Sequence, residues 1–213
     1  MPNKKSEIYI VIFIGPQGCG KGEHSRRLHS RLGEGQSLLV ETSDILRRQS
    51  DRRIHHLLRA GKIVPDKHVN IAVGRTIANN PKKVVVLDGF PRTKGQAEFL
   101  LQEGPSLLGI TKFIVIELSL SDEECMARIQ QGREDGTRPN RDDDDERKLR
   151  QRLRTYREHA PEVIEHLCSN EDVLHFCFVP HGDVHSTQAA IRETILPHLG
   201  MRRRSIKFGP QYA

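Results

Sequence analysis

Apolar residues come in short runs along this chain, each closed off by polar or turn-forming residues. The first run, Ile8 to Ile14, leads directly into a glycine-rich turn and then a helix-compatible stretch from Gly20 to Leu32, a strand-turn-helix opening. Similar runs at Leu38 to Glu41, Val84 to Asp88, Phe113 to Leu118 and Val173 to Val179 predict further strands. Helical spacing between them predicts helices near 44–60, 66–78, 121–131, 143–167 and 184–198. Apolar strands alternating with helices predict an α/β fold, a mostly parallel sheet covered on both faces. Two segments do not fit as simple crossovers: residues 42–72, helical and polar, and residues 132–144 (GREDGTRPNRDDD), which lack apolar periodicity. Both read as excursions from the core.

The length, 213 residues, suits one domain with insertions or two small ones. No apolar run approaches the roughly 18 residues that cross a bilayer. Lys4 and Lys5 precede the first run as they would in a secretory signal, but no small-residue cleavage site follows. The four cysteines, Cys19, Cys125, Cys168 and Cys177, show no CxxC spacing, which predicts reduced thiols, a cytoplasmic setting and no structural zinc. A net charge of +6 suits partners that carry phosphates. Aromatic residues are only 5% with no tryptophan, so stacking platforms for single-stranded nucleic acid are scarce and small phosphorylated ligands are the simpler expectation. The arginine-rich end, 200–213, is expected to be a basic flexible tail.

The strongest motif is GPQGCGKG at 15–22, set between the first strand and the first helix. Its glycines let successive amides turn inward onto phosphate oxygens, the helix end adds partial positive charge, and Lys21 reaches the β- and γ-phosphates. The strict pattern places Ser or Thr after Gly-Lys to hold magnesium; here that residue is Gly22, and the next is Glu23, whose charge is expected to repel a bound phosphate. A second constellation, Asp88-Gly-Phe-Pro-Arg92, ends an apolar strand. Ligands of open parallel sheets bind outside the strands' carboxyl ends, so Asp88, able to order magnesium through water, and Arg92, able to grip phosphate bidentately, are expected in the same crevice. A third cluster comprises Arg128, Arg133, Arg138, Arg141, Asp143, Asp144 and Arg152, flanking the polar excursion, as cations closing over a migrating phosphoryl group would.

Taken in order, GPQGCGKG, TSDILR, GKIVP, DGFPRTKGQ and RDDDDERKLRQRLRTY resemble the motifs of the adenylate kinases, within the nucleoside monophosphate kinase family, from about Tyr9 to about Leu196. The resemblance implies a three-layer P-loop nucleoside triphosphate-binding fold with a five-stranded parallel sheet. It divides a single kinase domain into core (7–41, 73–131 and 145–199), monophosphate-binding segment (42–72) and a short, metal-free lid (132–144). It implies that Lys21 and the loop around Gly18, Cys19, Gly20, Gly22 and Glu23 hold the ATP phosphates, with Arg128 stacking on the ATP adenine. Arg47 and Arg92 would hold the AMP phosphate, and Thr42, Lys62, Ile63, Val64, Gly89 and Gln96 would line the acceptor site. Arg133, Arg141 and Arg152 would surround the transferred group, with Arg138 as a substitute for Arg133, and Asp143 and Asp144 would anchor the lid. Gln96 together with Thr93 resembles the adenylate-selective members. ATP, AMP, ADP and magnesium are the implied partners, and a monomer is expected.

Three residues depart from the pattern: Glu23 stands for threonine, His24 for glutamine and Ser43 for glycine. They leave open a catalytically impaired nucleotide-binding homologue, beside a kinase for another monophosphate. Cys19, in a position commonly serine, reads as a tolerated small residue or a redox-sensing thiol at a helix N-terminus.

Overall fold

The computed structural model describes residues 7–137, 145–180 and 183–199. Five strands, β1 (Ile8–Ile14), β2 (Ser37–Glu41), β3 (Val84–Asp88), β4 (Ile110–Leu118) and β5 (Val173–Phe178), form one sheet in the order β2-β3-β1-β4-β5. Every pairing is parallel. The central strand β1 is sealed on both sides: Ile10, Val11 and Ile12 have no solvent exposure, as expected for continuous apolar runs in doubly covered sheets. Alternate residues serve opposite faces. Ile10, Ile12 and Ile14 pack with α2 (Thr42–Arg47), α3 (Arg52–Arg59), α4 (Asp66–Asn79), α5 (Lys94–Gln102) and the distal half of α8 (Glu146–Cys168). Tyr9, Val11 and Phe13 pack with α1 (Lys21–Leu32), α7 (Asp122–Glu134), α9 (Val184–Ile195) and Leu153 of α8.

The register fixes the crevice. Phe13 pairs with Asp88 on one side and Ile116 on the other, and Glu41 pairs with Asp88, so the carboxyl ends of β1, β2 and β3 are level. The chain passes from β1 to the β2 edge, returns beside β1 as β3 and crosses to the opposite side as β4. Ligands of open α/β sheets bind outside the strands at such a reversal.

Element boundaries depart from the pattern-based expectation in three places. The helix expected over 44–60 is two, α2 and α3, separated at 48–51, because Asp51 caps the second by accepting a hydrogen bond from the Arg53 amide (2.8 Å). Two helices, α5 and the short α6 (Gly104–Leu108), occupy a stretch for which no helix is predicted. Gly95 and the Gly104-Pro105 pair interrupt the apolar period there, and the capping Thr93, whose hydroxyl accepts from the Gln96 amide (3.3 Å), supplies the start instead. Helix α7 opens with a capping box between Ser121 and Glu124 and runs to Glu134, three residues into the segment 132–144 expected to be a lid. The rest of that segment from 138 onward, and the 200–213 tail, lie outside the described residues. Among the described residues no helix is long and apolar enough to cross a membrane.

Candidate functional site

The loop after β1 is built around glycines that nothing else can replace. Gly18 and Gly20 both adopt φ +95°, and a Cβ on Gly18 would stand 2.7 Å from the Cys125 carbonyl oxygen. The turn passes directly into α1, whose first amides, Glu23 and His24, donate to the Gly20 carbonyl at 3.0 Å. Lys21 folds its ammonium back to the Pro16 carbonyl (3.2 Å), so the lysine spans its own loop. Gly22 leaves the front of Asp88 open: a Cβ there would meet Asp88 Oδ2 at 3.1 Å.

Asp88 ends β3, and the chain turns at Gly89 (φ +79°) into a cis Phe90-Pro91 peptide. Arg92 folds back over this turn, its Nε donating to the Gly89 carbonyl at 2.9 Å, and its Nη2 lies 2.8 Å from where a Gly89 Cβ would be. The guanidinium is reachable through the cleft mouth yet crowded by protein. Desolvation draws its pKa down first; Asp88 opposes this, while Arg152 and Arg47 add like-charge repulsion. Arginine stays charged regardless, so three guanidinium groups crowd one region, an arrangement suited to a polyanion.

One cleft is lined by Lys21, Ser43, Arg47, Lys62, Arg92 and Arg152 together. A smaller recess that shares Ser43, Lys62 and Arg92 with it is walled by Thr42, Ile63, Val64, Gly89 and Gln96. The structure thus brings residues from β1's loop, the 42–72 arm, the β3 turn and α8 around one space. Arg152 also packs on the arm: a Cβ on Gly61 would meet its Cγ at 3.3 Å. Arg47 carries an ion pair with Asp44 (2.9 Å). Gln96 is held on two sides, its Nε2 donating to Asp66 Oδ1 (2.9 Å) and its Oε1 accepting from the Arg92 amide (2.8 Å). Asp66 takes a second bond from the Thr93 hydroxyl (2.8 Å). Sequence reasoning passed over Asp66, as well as Gln17, Leu58, Thr155 and Tyr156 of the cleft wall. Asp66 directly follows the GKIVP motif, and Thr155 and Tyr156 end the RDDDDERKLRQRLRTY motif, signals within reach; Leu58 carries none.

Thr42 is 3% exposed, and its Oγ1 has no hydrogen-bond partner among the described residues. A buried hydroxyl without a partner costs stability unless a ligand supplies one. Thr42→Val is therefore expected to stabilise the protein by about 1 kcal/mol while raising KM for the acceptor roughly five- to tenfold. Paired thermal unfolding and kinetics check it; a loss of stability would mean that the hydroxyl is satisfied within the protein.

The remaining sequence-predicted residues are placed unevenly. Arg128 donates to the Pro180 carbonyl at 2.5 Å, on the α7 side of the loop. Arg133 lies exposed in the last turn of α7, away from the cleft lining. Arg138, Arg141, Asp143 and Asp144 lie outside the described residues.

Glu23 is not a lone charge. Its carboxylate accepts from Arg27 Nε at 2.5 Å, with Arg26 at 3.9 Å, and Arg26 in turn reaches Glu41 at 2.7 Å. The repulsion expected of Glu23 is thus partly neutralised by the arginines one helical turn on. Cys19 is fully buried; desolvation raises its thiol pKa against the opposing pull of the Lys21 charge and amide, and Cys125 beside it is pushed up to about 12, chiefly by burial. Neither is the exposed thiolate that redox sensing requires, so Cys19 is a packed small residue.

His24 is 2% exposed, with Nδ1 at 2.7 Å from Gln188 Oε1. Burial lowers its pKa below the ordinary 6.5, outweighing the opposing Gln188 bond and Glu23 charge, and Arg27 and Arg128 push the same way as burial. The unfolded chain then binds the proton more readily, so His24's contribution is complete above about pH 6.5 and is lost as the pH falls below it. His24→Gln should flatten the acid side of a stability profile measured between about pH 5 and 8. An unchanged slope would show that other groups dominate.

A glycine cradle on the central strand of a parallel sheet, beside a cleft lined by Lys21, Arg47, Arg92 and Arg152, defines a P-loop phosphotransferase. Residues 13–172 match the family model for adenylate kinase. The chain belongs to the adenylate kinase family. It is 35% identical over 175 residues to the adenylate kinase of Deinococcus radiodurans, covering 76% of this chain and 85% of that one. Over 164 residues it is 34% identical to the adenylate kinase of Thermus thermophilus (72% and 80% covered), and over 162 residues 33% identical to that of Thermobifida fusca (72% and 82%).

Proposed function

We propose that this protein transfers the γ-phosphoryl group of magnesium ATP to AMP, reversibly, giving two ADP. The observation that carries the reading is that Lys21, Arg47, Arg92 and Arg152, from four separate parts of the chain, line one cleft. Lys21 and the amides from Gly18 to Gly22 hold the donor phosphates, Arg128 offers its flat guanidinium face to the donor adenine, and Arg47 and Arg92 grip the acceptor phosphate. Thr42, the 62–64 backbone and Gln96 line the acceptor base recess, with Gln96 oriented by Asp66.

Phosphoryl transfer leaves little covalent work for the protein: no side chain attacks, and the rate comes from aligning acceptor oxygen, phosphorus and leaving oxygen and from cations around the migrating group. Arg92 and Arg152 supply that charge. The segment 42–72 acts as the acceptor-binding arm and 132–144, with Arg133, Arg141, Asp143 and Asp144, as a lid that excludes competing water. The residues fit a magnesium ion carried by the donor, since Gly22 leaves Asp88 Oδ2 uncovered at the end of β3 and a carboxylate binds magnesium through water. When bound, the ion neutralises charge on the donor phosphates.

A coupled assay should show ADP formation only when ATP and AMP are both present, with AMP preferred over CMP, UMP and GMP. Folded protein that binds ATP without AMP-dependent turnover would instead identify the impaired homologue that Glu23 and Ser43 leave open.

A further inference from the structure

We propose that Glu23 is an intramolecular stand-in for a donor phosphate, holding the Arg27 guanidinium at the mouth of the glycine cradle until an incoming donor phosphate takes that guanidinium over. Glu23 sits in the first turn of α1, its amide bonded to Gly20, so the carboxylate is fixed to the same helix end that the loop offers to anions. Two anions, one covalently attached and one arriving with the donor, compete for one positive end.

The ion-pair pattern singles out Arg27 as the cation at stake. Arg26 is 3.9 Å from Glu23 but 2.7 Å from Glu41, so its stronger attachment is to β2; Arg27 Nε lies 2.5 Å from Glu23 Oε1. The Glu23 and Arg27 side chains are 45% and 34% exposed, and exposed pairs of this spacing are weak. A phosphate that offers several oxygens to a forked guanidinium is the stronger partner. The exchange therefore runs toward the ligand. Neither Glu23 nor Arg27 lines the cleft that holds Arg47 and Arg92; Glu23 directly follows the 15–22 loop in the first turn of α1, and Arg27 reaches back to its carboxylate.

The inference rests on donor phosphates binding at the 15–22 loop, and its test is a binding measurement that does not depend on turnover. ATP affinity is measured by calorimetry for the wild type, Glu23→Gln, Arg27→Gln and the double variant, with AMP affinity alongside. Glu23→Gln is expected to tighten ATP roughly five- to tenfold, because Arg27 no longer has to be released. In the Arg27→Gln background the same Glu23 substitution is expected to give a much smaller gain, relief of charge repulsion alone, with AMP affinity constant throughout. Each variant's thermal stability confirms that it is folded.

A Glu23→Gln gain as large without Arg27 as with it would mean plain charge repulsion and overturn the exchange. Equal affinity in all four proteins would also overturn it, as would failure of all four to bind ATP. The expected pattern in protein that makes no ADP from ATP and AMP would leave the exchange standing and remove the proposed reaction instead.

Discussion

Replacing Arg92 with alanine is expected to lower kcat/KM for AMP-dependent ADP formation by roughly a thousandfold, a loss of about 4 kcal/mol of transition-state stabilisation. The physical ground is the position of its guanidinium. It is pinned to the Gly89 carbonyl at 2.9 Å, flanked electrostatically by Asp88, Arg47 and Arg152, and shared by the walls of both the main cleft and the base recess. In the proposed reaction a group with that reach would align the acceptor phosphate for in-line transfer, where misplacement of about an ångström is enough for a hundredfold loss. Removing it also relieves repulsion among three arginines, so the variant should fold as well as the wild type or better. Arg92→Lys keeps the charge without the planar fork and should recover only a small part of the rate. Activity of Arg92→Ala within fivefold of wild type would remove Arg92 from the chemistry.

Gly18→Ala is the largest expected stability effect outside the core. The residue is at φ +95°, where a side chain is strained by about 1–2 kcal/mol. The added methyl would also stand 2.7 Å from the Cys125 carbonyl oxygen and 2.9 Å from Ile129 Cδ1. Backbone cannot rotate aside as a flexible side-chain end does, and overpacking of this kind adds about 1–3 kcal/mol. The sum, about 2–5 kcal/mol, predicts a fall in Tm of roughly 5–15 °C for a chain of this size, with weakened ATP binding because the loop must shift. Gly109→Ala is the control. It is also left-handed, at φ +69°, but the nearest atom to its added methyl is Ile8 Cδ1 at an ordinary 3.6 Å, so only the backbone strain should appear. Equal losses at both positions would show that the contact with α7 is unimportant.

The strand pattern was legible because a buried parallel strand leaves an unbroken apolar run: β1 and β3 fall on the expected residues. Helices were legible only where their apolar period was long. The break at 48–51 and the start of α5 depend on caps at Asp51 and Thr93, single side chains that the periodicity does not weigh. For the site, the glycine loop was legible from local context, since cradle geometry is set within a few residues. The bonds that orient Gln96 were not, because Asp66 is 30 residues away in sequence.

The amino-acid order alone determined that a phosphate-binding turn follows the first strand, that strands and helices alternate around it, and that the motif set is that of adenylate kinases. These are properties of short segments, governed by backbone freedom at glycine and by the side-chain period of each element. Tertiary structure alone decided that Lys21, Arg47, Arg92 and Arg152 face one cleft. It also decided that Thr42 keeps an unpartnered hydroxyl among the described residues. Distances between side chains on separate elements follow from the parallel register and from how helices pack across the sheet, which no local pattern encodes.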